Sequence, residues 1–197
     1  MSGQDTVLPT ETSFLSMPSR RTLLTGAMLS ATAVALIGGR DALAATAKAT
    51  PEQLQADARI LNTALGAELE AIAAYQAGAE TKLLGPGTLK VALQFQGHHR
   101  EHADALAKAI EKLGAKAAQA KAVYTFPVET LKSEADVLRF AAGLERGAVA
   151  AYLGAVPLFN ERAFAQVAAS ILGDEAMHWA VLRQAVGENP VPAAFMS

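Results

Sequence analysis

The chain has 197 residues, 17 Lys and Arg against 19 Asp and Glu, a formal net charge of -2, and no cysteine. A near-neutral balance offers nothing to attract nucleic acid or an acidic polymer, and without cysteine there is no disulfide, thiolate zinc site, iron–sulfur cluster, c-type haem or catalytic thiol. His98, His99, His102 and His178 are the strong nitrogen ligands that remain, and three of them fall within five residues.

In chain order, the first feature is Ser19-Arg20-Arg21-Thr22-Leu23-Leu24, followed by a weakly apolar stretch and then by Asp41-Ala42-Leu43-Ala44-Ala45. Paired arginines (Arg20, Arg21), an uncharged middle and a small-x-small cleavage site resemble a bacterial twin-arginine signal peptide. A spanning anchor would need about 20 strongly apolar residues, whereas this stretch is short and rich in Ala, Gly, Thr and Ser. Residues 1–44 are therefore expected to be an export address and residues 45–197 a single domain. The resemblance implies the twin-arginine machinery as partner, a periplasmic or otherwise exported location, and no stable membrane insertion after cleavage. That route carries folded proteins, often with a cofactor already installed.

In the remainder, alternating polar and β-branched runs are nearly absent, so an all-α domain is expected. Thr50-Pro51-Glu52-Gln53 has the order of a capping box with proline at the first helical position, opening a helix to about Ala79. Leu84-Gly85-Pro86-Gly87 ends it, and Thr88 is expected to cap a second helix running to Gly114. Residues 115–132 show no periodicity, and Tyr124, Phe126 and Pro127 are expected to fasten this stretch to the domain. Ser133-Glu134-Ala135-Asp136 opens a third helix that stops near Pro157, and a fourth runs from about Glu161 to Gly187 before a Pro-containing tail.

The first and last connections are short and force antiparallel hairpins. The middle one, about 18 residues at roughly 3.3 Å each, can span the whole length of a helix rising about 1.5 Å per residue. The expected architecture is an antiparallel four-helix bundle of two hairpins joined by a long crossover. A repeat supports it. Glu68-Leu-Glu-Ala-Ile-Ala-Ala-Tyr75 matches Glu145-Arg-Gly-Ala-Val-Ala-Ala-Tyr152, and His99-x-x-His102-x-x-x-Leu106 matches Glu175-x-x-His178-x-x-x-Leu182, at offsets of 77 and 76.

Each helix carries a stripe in alternating four- and three-residue steps, the spacing that faces neighbours in a bundle. The stripes read Leu61, Leu65, Glu68, Ile72, Tyr75; Ala92, Phe95, His99, His102, Leu106, Ala109, Leu113; Leu138, Ala142, Glu145, Val149, Tyr152; and Phe164, Ala168, Ile171, Glu175, His178, Leu182, Ala185. Glu or His interrupts each near its middle, so Glu68, His99, His102, Glu145, Glu175 and His178 should converge at mid-bundle. Buried carboxylates repel one another and each costs several kcal/mol without a partner. No Lys or Arg lies on the stripes to neutralise them. A bound metal would, and carboxylates with imidazoles at i, i+3 suit iron or manganese. His98 lies 100° from His99 and is placed at the surface or behind the ligands, with a His98/His102 pair at i, i+4 left open. Tyr75 and Tyr152, two turns from Glu68 and Glu145, either hydrogen-bond ligands or pack. Trp179 is expected to pack.

These residues resemble the ferritin-like superfamily, in particular the twin-arginine-exported ferritin-like domain proteins of bacteria, over about residues 55 to 190. The resemblance implies that Glu175 and His178 supply a bridging carboxylate and a terminal imidazole, that Glu68 and Glu145 are the single glutamates of the first and third helices, and that His102 is the imidazole of the other E-x-x-H. Where a second bridging Glu would stand the chain has His99, so the centre is dinuclear and modified, mononuclear with iron, manganese or zinc, or a relic. Glu101, one residue off the stripe, would substitute only in an overwound helix. Iron or manganese, with no haem or iron–sulfur cluster, and metal ions with small oxidants as partners are implied, together with oxidation of ferrous iron or reduction of peroxide or oxygen. The lack of cysteine removes a rubredoxin-type relay, and the absence of a fifth helix after Gly187 disfavours a storage shell; a homodimer stays open. The alternative is a metal-free bundle keeping a hydrogen-bonded Glu/His network and acting as an envelope stress or scaffold protein.

Overall fold

A computed structural model describes residues 49–196; the twin-arginine segment, with Arg20 and Arg21, lies outside the described residues. Among the described residues the fold is made of four α-helices: α1 (Pro51–Glu80), α2 (Pro86–Lys112), α3 (Glu134–Ala155) and α4 (Arg162–Ala185). No strand occurs among the described residues. None of these helices is long and apolar enough to cross a membrane.

The helix ends follow local chemistry. At the start of α1, Gln53 N donates to Thr50 Oγ1 at 3.3 Å and Thr50 N to Gln53 Oε1 at 2.8 Å, the reciprocal capping box. The expectation for α2 needs correction. Gly85 is its N-cap and Pro86 its first residue, because proline lacks the amide that would be left unpaired there and already has a helical φ. Thr88 lies inside the first turn and donates to Glu134 Oε1 at 3.0 Å, while Gly85 N donates to Glu134 Oε2 at 2.5 Å. Gly114, at φ 71°, closes α2 in the left-handed region where glycine carries no steric penalty. Pro157 ends α3 in a short 3-10 turn, Val156–Leu158.

The contact of Glu134 with Gly85 sets the topology. Residue 134 opens α3 beside the start of α2, so residues 113–133 have travelled the length of the bundle. On the way Asn62 of α1 bonds Lys116 O at 3.1 Å and Ala118 N at 2.7 Å, and Phe126 meets Phe140 of α3 edge-on at 6.2 Å. Tyr124 stacks on Phe126. The result is two antiparallel hairpins, α1–α2 and α3–α4, joined by one long crossover.

The turn that leads into the fourth helix is held by another element. Asp57 of α1, fully buried, accepts from Asn160 N and Glu161 N, both at 2.9 Å, and from Asn160 Nδ2 at 3.0 Å. The buried carboxylate pairs with the donors of that turn and is favoured by the dipole of the helix that starts beside it.

The stripes are buried largely as the periodicity predicts, with drift at the ends. On α2 the covered residues beyond His102 are Ala103, Leu106 and Ile110, while Ala109 and Leu113 are only half-buried; on α4, Ala185 is exposed. A straight helix turns 3.6 residues per revolution and slips off a 3.5-residue stripe over several turns. Trp179 is buried beneath the Arg183 guanidinium, 5.1 Å from the ring centre. The core has two apolar clusters. One contains Leu61, Leu65, Leu106, Ile110, Phe164 and Ile171, the other Tyr75, Phe95, Leu138 and Leu182. Between them lies a polar layer.

Candidate metal centre

Five of the six stripe-interrupting residues, Glu68, His99, Glu145, Glu175 and His178, are at most 2% exposed, and the sixth, His102, is half-buried. They converge on one layer. His99 Nδ1 lies 2.8 Å from Glu68 Oε2 and its Nε2 lies 3.3 Å from Glu145 Oε1. His102 Nδ1 is 3.0 Å from Glu175 Oε1 and 3.6 Å from Glu68 Oε2. His178 Nδ1 is 3.5 Å from both Glu175 Oε2 and Glu145 Oε1. Glu175 thus sits between two similar halves, one with Glu68 and His102, the other with Glu145 and His178.

His99 plays a different part from the other two imidazoles. Both of its nitrogens are engaged by glutamates, so the ring links Glu68 to Glu145 at the position where a second bridging carboxylate was expected. Glu101 is exposed and takes no part.

The tyrosines cross between the hairpins. Tyr152 donates to Glu68 Oε1 at 2.5 Å and Tyr75 donates to Glu145 Oε1. Burial, the glutamate charges and the hydrogen bonds hold both phenols well above their ordinary range, so both remain protonated donors.

A seventh residue joins the centre without having been anticipated. Asp174 Oδ2 lies 3.1 Å from His98 Nδ1, 3.3 Å from His102 Nε2 and 3.2 Å from His178 Nε2. His98 stands at the half-exposed edge, 2.9 Å from His178 Nε2. The open question of a His98/His102 pair resolves into this shared carboxylate. A carboxylate behind an imidazole fixes which nitrogen carries hydrogen and turns the other nitrogen's lone pair inward.

Electrostatics corrects one expectation. Lysine and arginine are indeed missing from the stripes, but the imidazoles themselves neutralise the glutamates. Burial alone would lower His99, His102 and His178, yet the facing carboxylates outweigh it and raise them to about 10, 9 and 9. Burial works against ionisation of Glu68 and Glu145 too, but hydrogen-bonding imidazoles hold both below the usual carboxylate range. Glu175, beside Glu145, is raised, chiefly by burial.

The facing imidazoles thus offset glutamate charge, but hydrogen bonding in the layer is incomplete. His102 Nδ1, His178 Nδ1, Glu145 Oε2 and both oxygens of Glu175 are buried with no hydrogen-bond partner. His102 Nδ1 and Glu175 Oε1 are close, yet their angles do not make a hydrogen bond, which leaves only attraction between charges. Five unpaired buried atoms from two imidazoles and two carboxylates are a donor set that fits a metal ion. With Glu68 they form the two halves around Glu175. Ligand atoms of Glu68, His99, His102 and Glu175 lie within 4.8 Å of one another, as do those of His99, Glu145, Glu175 and His178, and those of His98, Asp174 and His178.

Comparison with known proteins agrees with this architecture. A family model described as a ferritin-like domain matches residues 56–188. A conserved hypothetical protein from Mycobacterium tuberculosis is 25% identical, with a TM-score of 0.63 over 73% of this chain and 99% of that one. The bacterioferritin of Desulfovibrio desulfuricans, described with a diiron site in different catalytic states, is 18% identical with a TM-score of 0.62 over 72% of this chain and 84% of that one. A ferritin-like, diiron-carboxylate protein of Bacillus anthracis is 18% identical with a TM-score of 0.57 over 68% and 97%. No curated protein matches. The chain belongs to the ferritin-like domain family.

Proposed function

We propose that this is an exported ferritin-like metalloprotein that binds one or two iron or manganese ions at mid-bundle. The observation that carries the reading is the set of five buried, unpaired donor atoms centred on Glu175. Glu68, His102 and Glu175 would hold one ion, and Glu145, His178 and Glu175 the other, with Glu175 shared. Iron held there would supply one-electron redox chemistry, serving oxidation of ferrous iron or reduction of peroxide or oxygen. The diiron-carboxylate relatives favour iron; haem has no part in this reading.

The protein's own residues do the rest. Asp174 orients His102 and His178 with their Nδ1 atoms inward. Tyr75 and Tyr152 fix the Glu145 and Glu68 carboxylates from the opposite hairpin. His99 holds Glu68 and Glu145 apart at a set distance and brings a positive charge where a carboxylate bridge would bring a negative one. That substitution weakens the centre for two cations relative to a site with two bridges, so occupancy by a single ion is the more favourable loaded state.

The paired arginines and the small-x-small site at residues 42–44 support twin-arginine export to the periplasm. A second reading, a metal-free envelope stress or scaffold protein, is favoured by the self-neutralising imidazoles. The two separate on thermal melting with and without chelator. On the metal reading, protein reconstituted with ferrous iron melts several degrees higher than chelated protein; an identical melting temperature supports the metal-free one.

A further inference from the structure

Asp174 and His178 stand one turn apart on α4, and His98 of α2 reaches the same point from across the helix crossing. Asp174 Oδ2, His98 Nδ1 and His178 Nε2 form a triangle with sides of 3.1, 2.9 and 3.2 Å. None of these three atoms belongs to the inner donor set. His178 faces Glu145 and Glu175 with Nδ1, and Nε2 is the nitrogen on the outer side of the ring. The side chains of His98 and Asp174 are 33% and 24% exposed, which puts the triangle at the solvent edge.

Hydrogen bonding does not satisfy the triangle. His98 Nδ1 has the distance and angle for a hydrogen bond with both Asp174 Oδ2 and His178 Nε2, but a ring nitrogen carries either one hydrogen or one lone pair. As donor it divides one hydrogen between the two; as acceptor from His178 it turns its lone pair on the carboxylate. A cation takes all three atoms at once. Ligand atoms roughly 2.0 to 2.1 Å from a tetrahedral ion stand about 3.3 Å apart, close to the three sides found here. The ligands are also held in place beforehand. Phe95 stacks on the His178 ring at 4.0 Å, and His102 Nε2 lies 3.3 Å from the same Asp174 oxygen.

We propose that His98, Asp174 and His178 form a second, outer cation site for a divalent ion of the zinc class, with solvent in the fourth position. Two imidazoles and one carboxylate are a nitrogen-rich set that suits zinc, whereas the carboxylate-rich inner layer suits iron or manganese. The ion displaces the proton on His178 Nε2. The remaining hydrogen of the ring then sits on Nδ1 and faces Glu145 Oε1 and Glu175 Oε2, both at 3.5 Å. An outer ion and an inner ion in the Glu145 half therefore exclude each other. The exclusion rests on the inner metal reading; the outer site does not.

The test titrates the metal-free full chain with Zn(II), and with Co(II) for its four-coordinate visible spectrum. It uses a Glu175→Gln background, which removes the shared inner ligand and leaves all three outer ones. Expected are one Zn(II) per chain and an affinity loss of about tenfold or more when His98→Ala, or independently Asp174→Asn, is added, with unchanged circular dichroism. Wild-type protein loaded with Zn(II) should then take up less ferrous iron than His98→Ala protein treated alike. No Zn(II) binding in the Glu175→Gln protein, or an affinity that neither added substitution lowers, overturns the outer site. Equal iron uptake by the two zinc-treated proteins overturns the exclusion. A wild type that takes up no iron even without zinc contradicts the inner reading instead, and the zinc titration decides the outer site by itself.

Discussion

Tyr152 donates its phenol hydrogen to Glu68 across the bundle at 2.5 Å, and Tyr75 returns the same bond to Glu145. Each repeat therefore supplies the donor that holds the other repeat's carboxylate, and the hairpins are latched at the depth of the centre. Tyr75→Phe or Tyr152→Phe leaves a buried carboxylate oxygen without that donor. Either change should destabilise the fold by about 1.5 to 3 kcal/mol, the range for hydrogen bonds to charged groups, or several degrees of melting temperature for a domain of this size. Scanning calorimetry checks it; no shift in either variant would mean that the phenols only pack.

Asp57→Ala isolates stability from the centre. It removes the acceptor for Asn160 N and Glu161 N, and leaving such donors unpaired costs about 1 to 3 kcal/mol. Chemical denaturation should show that loss while metal content stays at the wild-type level. An equal fall in metal content would tie the two together and contradict the separation.

Asp174→Asn tests orientation. The amide keeps its size but no longer holds His102 and His178 by charge, and changes behind a ligand typically lower metal affinity 10- to 100-fold. Titration with ferrous iron under anaerobic conditions measures it, and unchanged affinity would reduce Asp174 to a surface residue.

The pH dependence of the metal-free protein has a definite sign. His99, His102 and His178 are raised from 6.5 to about 10, 9 and 9, so their stabilisation is complete below pH 6.5 and is lost as pH rises through 9 to 10. Glu68 and Glu145, lowered from 4.5, contribute stability that is present above 4.5 and lost as pH falls. Chelated protein should therefore melt highest between about pH 4.5 and 6.5. Metal binding displaces protons from His102 and His178, so calorimetry in buffers of different ionisation enthalpy should report proton release near pH 7. Zero release would mean that these imidazoles are not ligands.

Much of this was legible in the sequence, because the fold is written in features that survive without coordinates. The capping box at Thr50, the turn at Gly85 and Pro86, and the uneven connection lengths fix helix order. Duplication of Glu68 with Glu145 and of His102 with His178 places the polar layer. What stayed hidden depends on contacts between helices. Asp174 sits one residue before Glu175 and 100° around the helix, and only the crossing with α2 brings it to His98 and His102; its i, i+4 spacing to His178 was the available signal. Asp57 holds a turn more than 100 positions later. Between α1 and α3 the structure leaves a cavity of about 640 Å³ beside Glu68 and Glu145, and the alanines and glycines in its walls look alike in sequence whether they pack closely or stand apart. Thr88 was misplaced because Pro86 outranks it as a helix start.

The most direct test of the central claim is elemental analysis of the protein reconstituted with ferrous iron, beside a Glu175→Ala/His178→Ala double variant. The account predicts about one to two metal ions per chain in the wild type, the capacity of the two half-sites around Glu175, and their loss in the variant. Less than about 0.2 per chain, unchanged between the two, is too little for a functional site of the metal-binding kind and would contradict it.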